Sequence, residues 1–98
     1  SPFGTTVAGV TSSPGSSFSQ LYWPTALHVD ANHTMYILEY QNCRVTRWRV
    51  GDPMGTTIAA GQGCGWGLNQ IDNSYGMFVD SRMHIYIADW RNHRVVRW

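Results

Sequence analysis

The sequence predicts an all-β chain made of two copies of a four-stranded unit, the kind of unit that forms one blade of a β-propeller. Three observations carry that reading. First, residues 18–48 laid over residues 68–98 match without a gap at a shift of 50, with Gln20, Val29, Asp30, Tyr36, Ile37, Asn42, Arg44, Val45, Arg47 and Trp48 meeting identical residues. Second, Gly4-Thr5-Thr6-Val7-Ala8-Gly9 recurs as Gly55-Thr56-Thr57-Ile58-Ala59-Ala60-Gly61 at a shift of 51, which places a one-residue slip in a connecting loop. Third, the apolar residues fall in short runs divided by turn residues, and no stretch keeps a helical period over three turns. Four short strands repeated at about 50 residues are how a propeller blade reads.

The elements follow in order. In the first copy, strands are expected at Thr5–Ala8, Ala26–Asp30, Met35–Leu38 and Arg44–Arg49. In the second they are expected at Thr56–Ala59, Gly76–Asp80, Ile85–Ala88 and Arg94–Trp98. Turn chemistry separates them at Ala31-Asn32-His33, at Ser81-Arg82-Met83 and at Gly51-Asp52-Pro53-Met54-Gly55. Ala26-Leu27-His28-Val29 and Gly76-Met77-Phe78-Val79 do not alternate cleanly, as expected of strands packed on both faces. Asp30 and Asp80 close equivalent strands and are expected to cap turns.

Composition narrows the function. The chain has 98 residues and 43% hydrophobic content, enough for one compact unit and too little for two independent cores. Five Trp, five Tyr and three Phe supply more burial than a disordered segment carries. All seven basic residues are arginine, against six acidic ones, and a net charge of +1 gives no long-range field toward nucleic acid. No apolar run is long enough to cross a bilayer, and Ser1 to Gly9 carries neither the charged nor the apolar region of a leader, so a soluble chain is expected.

Two blade-like copies in the order Pro24-Thr25-Ala26-Leu27, Val29-Asp30, Met35-Tyr36-Ile37-Leu38-Glu39-Tyr40, Asn42, Arg44-Val45 and Tyr75-Gly76-Met77, Val79-Asp80, Ile85-Tyr86-Ile87-Ala88-Asp89-Trp90, Asn92-His93-Arg94-Val95 resemble the NHL repeat. The name-giving motif is represented by Asn92-His93-Arg94 and, less closely, by Asn42-Cys43-Arg44, each following an acidic residue. The resemblance covers roughly positions 3 to 98. WD repeats would need their Gly-His and Trp-Asp signatures, and Kelch repeats a double glycine, and both are missing.

The resemblance implies closed rings of about six blades. It also implies that the Gly-Thr-Thr segment is the outermost strand of a blade and that the next three strands run from the inside outward. Residues 1–9 would then be an outer strand without its own blade, 10–61 a complete blade, and 62–98 the inner three strands of a second. Two blades do not span a circle, so each end is expected to pair with a neighbour in a cyclic homotrimer of six blades. Such a heterologous contact closes at about 120° per protomer. The alternative is a piece of a larger NHL propeller that recognises protein, glycan or RNA through its loop rim.

Several constellations bear on chemistry. Gly61-Gln62-Gly63-Cys64-Gly65-Trp66-Gly67 lacks the lysine of a phosphate loop and precedes a strand, so it reads as a connector needing positive φ angles. Cys43 lies beside the end of the expected outer strand, within reach of Cys64, so a disulfide is expected, with two free thiols as the alternative. Asn32-His33-Thr34 is a glycosylation sequon in a turn, and together with the disulfide it points to an extracellular or secreted protein. His28, His33, His84 and His93 form no metal-ligand set, and no nucleophile-histidine pair stands out. No enzyme activity, metal or cofactor is expected. Asn42, Arg44, Asn92, His93 and Arg94 are assigned to the scaffold, the Asn and Arg pairs to tying strands together within each blade. Function should sit where the copies differ: Tyr22, Trp23, Tyr40, Trp66, Trp90 and Arg91 fall on loops of one rim and suit a protein or glycan ligand. A membrane partner is not expected, and nucleic acid is disfavoured by the dispersed arginines.

Overall fold

A computed structural model describes residues 4–72 and 74–98; the first three residues of the segment 1–9 therefore lie outside the described residues. The fold is all-β apart from one 3₁₀ turn. Strands β1 (Pro24–Val29), β2 (Met35–Glu39), β3 (Arg44–Trp48) and β4 (Thr56–Ala60) form one antiparallel sheet in sequence order. Strands β5 (Gly76–Val79), β6 (Ile85–Asp89) and β7 (Arg94–Arg97) form a second, with the 3₁₀ turn Trp90–Asn92 between β6 and β7. Seven of the eight expected strands are therefore present, with ends shifted by one or two residues.

The eighth, Thr5–Ala8, does not form within the single chain: its backbone makes no ladder with either sheet. The identical Gly-Thr-Thr sequence at 55–57 leads into β4, which pairs with β3 through Arg44↔Ala60, Val45↔Ala59, Thr46↔Thr57 and Arg47↔Thr56. A strand requires an edge to pair with, because its N–H and C=O groups are satisfied only by a neighbour. Propensity alone does not make one.

Turn residues do what their chemistry dictates. The Asp30 carboxylate accepts hydrogen bonds from the Asn32 and Thr34 N–H groups at 2.9 and 3.0 Å, and Asp80 accepts from Arg82 and His84, both at 2.9 Å. In each turn the third residue takes the left-handed conformation, His33 at φ 62° and Met83 at φ 67°. These carboxylates cap turns, as expected.

Cross-strand partners share a face of the sheet. Leu38 stands opposite both Ala26 and Val45, and Val45 opposite Ala59, so these four lie on one face of the first sheet. In the second sheet Met77, Ile87 and Val96 line up across the strands, as do Val79 and Ile85. Those two faces meet, and Tyr36, Leu38, Val45 and Ala59 join Val79, Ile85, Ile87 and the loop residue Ile71 in one buried cluster. The other face of the first sheet is partly covered by the connector before β1 and buries Ile37, Thr46 and Trp48. There Gly55 lies so close to the Trp48 indole that an added Cβ would come within 2.6 Å of its ring.

Candidate functional site

Each sheet carries the same buried ionic knot at the end of its second strand. Glu39 is wholly buried; its Oε2 accepts from Arg44 Nε and Thr46 Oγ1, both at 2.9 Å, and its Oε1 from Asn42 Nδ2 at 2.7 Å. Asp89, also wholly buried, accepts from Arg94 Nε at 2.9 Å and Asn92 Nδ2 at 2.8 Å. Burial pushes the Asp89 carboxyl upward, but hydrogen bonds from Asn92, the Asp72 N–H and Arg94 outweigh it and hold the pKa below the ordinary range.

The free ends of these side chains go beyond the expected tie between strands. The Asn and Arg pairs reach beyond the sheet to the long connectors and do not merely tie strand to strand. Arg44 donates to the carbonyls of Ser16, Ser17 and Gln20, and Arg94 to those of Gly67 and Gln70. Asn42 and Asn92 donate to the carbonyls of Gly15 and Gly65. Sequence reasoning missed this because the connectors have no periodicity, although Gln20 and Gln70 are among the identical pairs. His93 caps the 3₁₀ turn through its backbone: it sits at φ 53° with its N–H on the Trp90 carbonyl, and Cys43 holds the equivalent conformation at φ 49°.

Cys43 and Cys64 are joined by a disulfide across a Cα separation of 5.2 Å. The bond ties the β2–β3 turn to the glycine-rich connector, next to the bridge between Cys64 and Ile71. Asp72 lies within 4.8 Å of both sulfurs, but sulfurs bonded to each other offer no thiolate to a cation. Asn32 is exposed on its turn, whereas Thr34 of the same sequon is buried. His28 packs between Tyr36 and Phe78 at the meeting of the sheets, with centroids 5.9 and 6.4 Å away.

The rim residues separate into two groups. Trp23, Tyr40 and Trp90 come together in a line completed by Tyr75, with successive centroid separations of 5.0, 5.1 and 6.2 Å. Trp23 and Tyr40 flank strands of the first sheet, Tyr75 and Trp90 strands of the second, so the line crosses from one to the other. Tyr75 was not anticipated; its one signal was that it replaces Thr25 of the first copy at a strand entrance. The hydroxyl of Tyr75 raises the Tyr40 pKa above the ordinary phenol value. Tyr22 stands beside the line, its N–H on Glu39 at 3.3 Å and its carbonyl accepting from Gln41. Arg91 faces Asp72 at 3.8 Å. Trp66 is 81% exposed and joins none of these ring contacts.

No protein-family model matches this chain, and no curated protein matches it either. Among the described residues no helix is long and apolar enough to cross a membrane.

Proposed function

We propose that this chain is a non-enzymatic scaffold and binding module of NHL-like type. Its two sheets act as propeller blades, and three copies close a six-bladed ring by exchanging strands. Residues 4–9 of each protomer complete the three-stranded sheet of the next. In the domain terms used above, 10–61 is one blade and 62–98 the inner three strands of another.

One observation carries this reading: equivalent residues of the two copies are buried on opposite sides. Leu38 and Val45 are fully buried against the second sheet, while their counterparts Ala88 and Val95 are exposed, Val95 at 71%. Conversely Val79 is buried and its counterpart Val29 is exposed, and Leu27 beside it is 61% exposed. The front of the first sheet packs on the back of the second. That leaves the front of the second sheet open and the back of the first only partly covered, by the connector before β1, and these are the counterparts of the two surfaces that fit each other inside the chain. A contact of this kind is heterologous and propagates by rotation until it closes. The unpaired Gly-Thr-Thr segment and the open edge of β7 supply the matching backbone groups.

Carried over to the neighbour's β7, the register of β3 with β4 would put Thr5 opposite Arg97, Thr6 opposite Val96 and Ala8 opposite Val95. The double variant Ala8→Cys, Val95→Cys is then expected to oxidise to covalent trimers, while either single variant gives none. Light scattering on the unmodified protein is expected to return about three times the 11.1 kDa chain mass. A monomer at all concentrations would overturn the ring and leave the reading as part of a longer propeller. The rim aromatics that meet in the line, Trp23, Tyr40 and Trp90 with Tyr75, supply the binding surface for a protein or glycan ligand. The disulfide and the exposed sequon residue Asn32 support an extracellular location. Among the arginines, Arg44 and Arg94 are spent on buried carboxylates, which weakens the case for RNA as ligand.

A further inference from the structure

The line Trp23–Tyr40–Tyr75–Trp90 is exposed where packing alone would cover it, its outer members at 58% and 62% and Tyr75 at 52%. It is also rigidly mounted. The Tyr40 N–H binds the Trp23 carbonyl at 2.9 Å, and Thr25 Oγ1 binds the Ser74 carbonyl at 3.1 Å, bridging the two sheets beside Tyr75. Trp23 holds φ 53°, a conformation that a bulky side chain adopts at a cost, and it gains little burial in return. Aromatic residues that are exposed, ordered in advance and locally strained are arranged for a ligand.

From this arrangement we infer that the line is a docking strip for a proline-rich segment in the polyproline II conformation. Successive ring planes are inclined by 42°, 44° and 72°, so adjacent rings open as wedges. A polyproline II helix repeats every three residues, about 9 Å. With centroid steps of 5.0, 5.1 and 6.2 Å, alternate rings stand no more than about 10 and 11 Å apart, close to one such turn. Prolyl rings seated in alternate wedges would therefore stay in step with the strip. The backbone of that helix has no internal hydrogen bonds, and the phenol and indole donors of the strip suit its free carbonyls. Arg91 and Asp72, the two charges that act on Tyr40, face each other at 3.8 Å, which fits an uncharged ligand. Aromatic-lined surfaces take such segments because the ligand loses little entropy on docking.

This inference rests on the rim being the binding surface, but not on the ring, since all four residues lie in one chain. Calorimetric titration with an acetylated, amidated proline decamer tests it. Binding is expected, weakened about tenfold by Tyr75→Ala or Trp90→Ala and unchanged by Trp66→Ala, which removes an exposed indole outside the strip. Heat-denaturation curves on the same variants confirm that they are folded. No binding of the decamer, or equal binding by all variants, overturns the inference. Binding of a soluble β-linked glucose or N-acetylglucosamine hexamer in place of the peptide also overturns the ligand class, while leaving the rim in place.

Discussion

Replacing Glu39 by Gln keeps the shape of the first ionic knot and removes its charge. The structure sets the size of the effect. Glu39 is wholly buried and the Arg44 side chain is 8% exposed, so the guanidinium would be left in the interior facing carbonyl oxygens with no counter-charge. Breaking a buried pair from one side costs about 3–5 kcal/mol. The amide nitrogen also turns a donor either toward Asn42 or toward Arg44 and Thr46, all of which already donate at that site. At Asp89 the same knot is more open, with the Arg94 side chain 27% exposed and able to recover water, so Asp89→Asn should cost about half as much. Urea unfolding at fixed protein concentration measures both through the shift in midpoint at unchanged slope. Adding Arg44→Met to Glu39→Gln should recover part of the loss, because the uncompensated charge disappears. If Glu39→Gln costs under about 1 kcal/mol, or if Arg44→Met deepens the loss additively, the knot is not a coupled buried pair.

Three further outcomes follow from the same coordinates. Reducing the Cys43–Cys64 bond, which spans 21 residues, should lower stability by about 3 kcal/mol on the chain-entropy scale, read as a lower urea midpoint in dithiothreitol. Gly55→Ala should destabilise by about 1–3 kcal/mol, because the added methyl meets the buried Trp48 indole, whereas Gly51→Ala meets no atom and suffers only from its positive φ. Asp89 has a folded-state pKa below its unfolded value, so its contribution is present above the unfolded carboxylate pKa and is lost as pH falls through the folded one. Acid titration of stability should therefore show a loss below about pH 4 that is smaller in Asp89→Asn, the remainder coming from Asp30 and Asp80, whose pKa values are also lowered.

The repeat, the strands and the turns were legible because short-range chemistry determines them: alternation, Gly and Asn turns, and aspartates two to four residues from the N–H groups they cap. The Cys43–Cys64 pairing was legible for a related reason, since one hairpin register places both ends. What escaped was long-range. Tyr75 completes the aromatic line only when the two sheets are brought together, and nothing local to it distinguishes a packed Tyr from a displayed one. Arg44 and Arg94 reach connectors 24 to 28 residues away, and those loops have no pattern that names a partner. The strand expected at Thr5–Ala8 shows the limit of propensity most directly. The same Gly-Thr-Thr sequence is extended and paired at β4, but makes no ladder at residues 4–6.

The two copies also differ in a way that bears on how tightly the ring would close. Inside the chain, the joint between sheets sets Leu38 and Val45 against Ile87 and Val79. Between chains, the corresponding joint would set Ala88 and Val95 against Ile37 and Val29, so the repeat places a smaller side chain at the centre of the outer joint than of the inner one. The joint between protomers should therefore be the weaker, and assembly should depend on concentration while each protomer stays folded. Ala88→Leu restores the inner-joint residue at the outer joint. Burying the added methyl groups is worth about 1–2 kcal/mol per interface, so dissociation should move to roughly tenfold lower concentration. Within one chain an apolar groove of about 430 Å³ runs past Leu27, Met35 and Ile37 and is walled on its other side by Thr6, Val7 and Ala8, the segment that strand exchange would carry to the neighbour. Sedimentation velocity over a dilution series reads the shift. If Ala88→Leu leaves the dissociation curve where it was, or raises it, the outer joint is not built on the plan of the inner one.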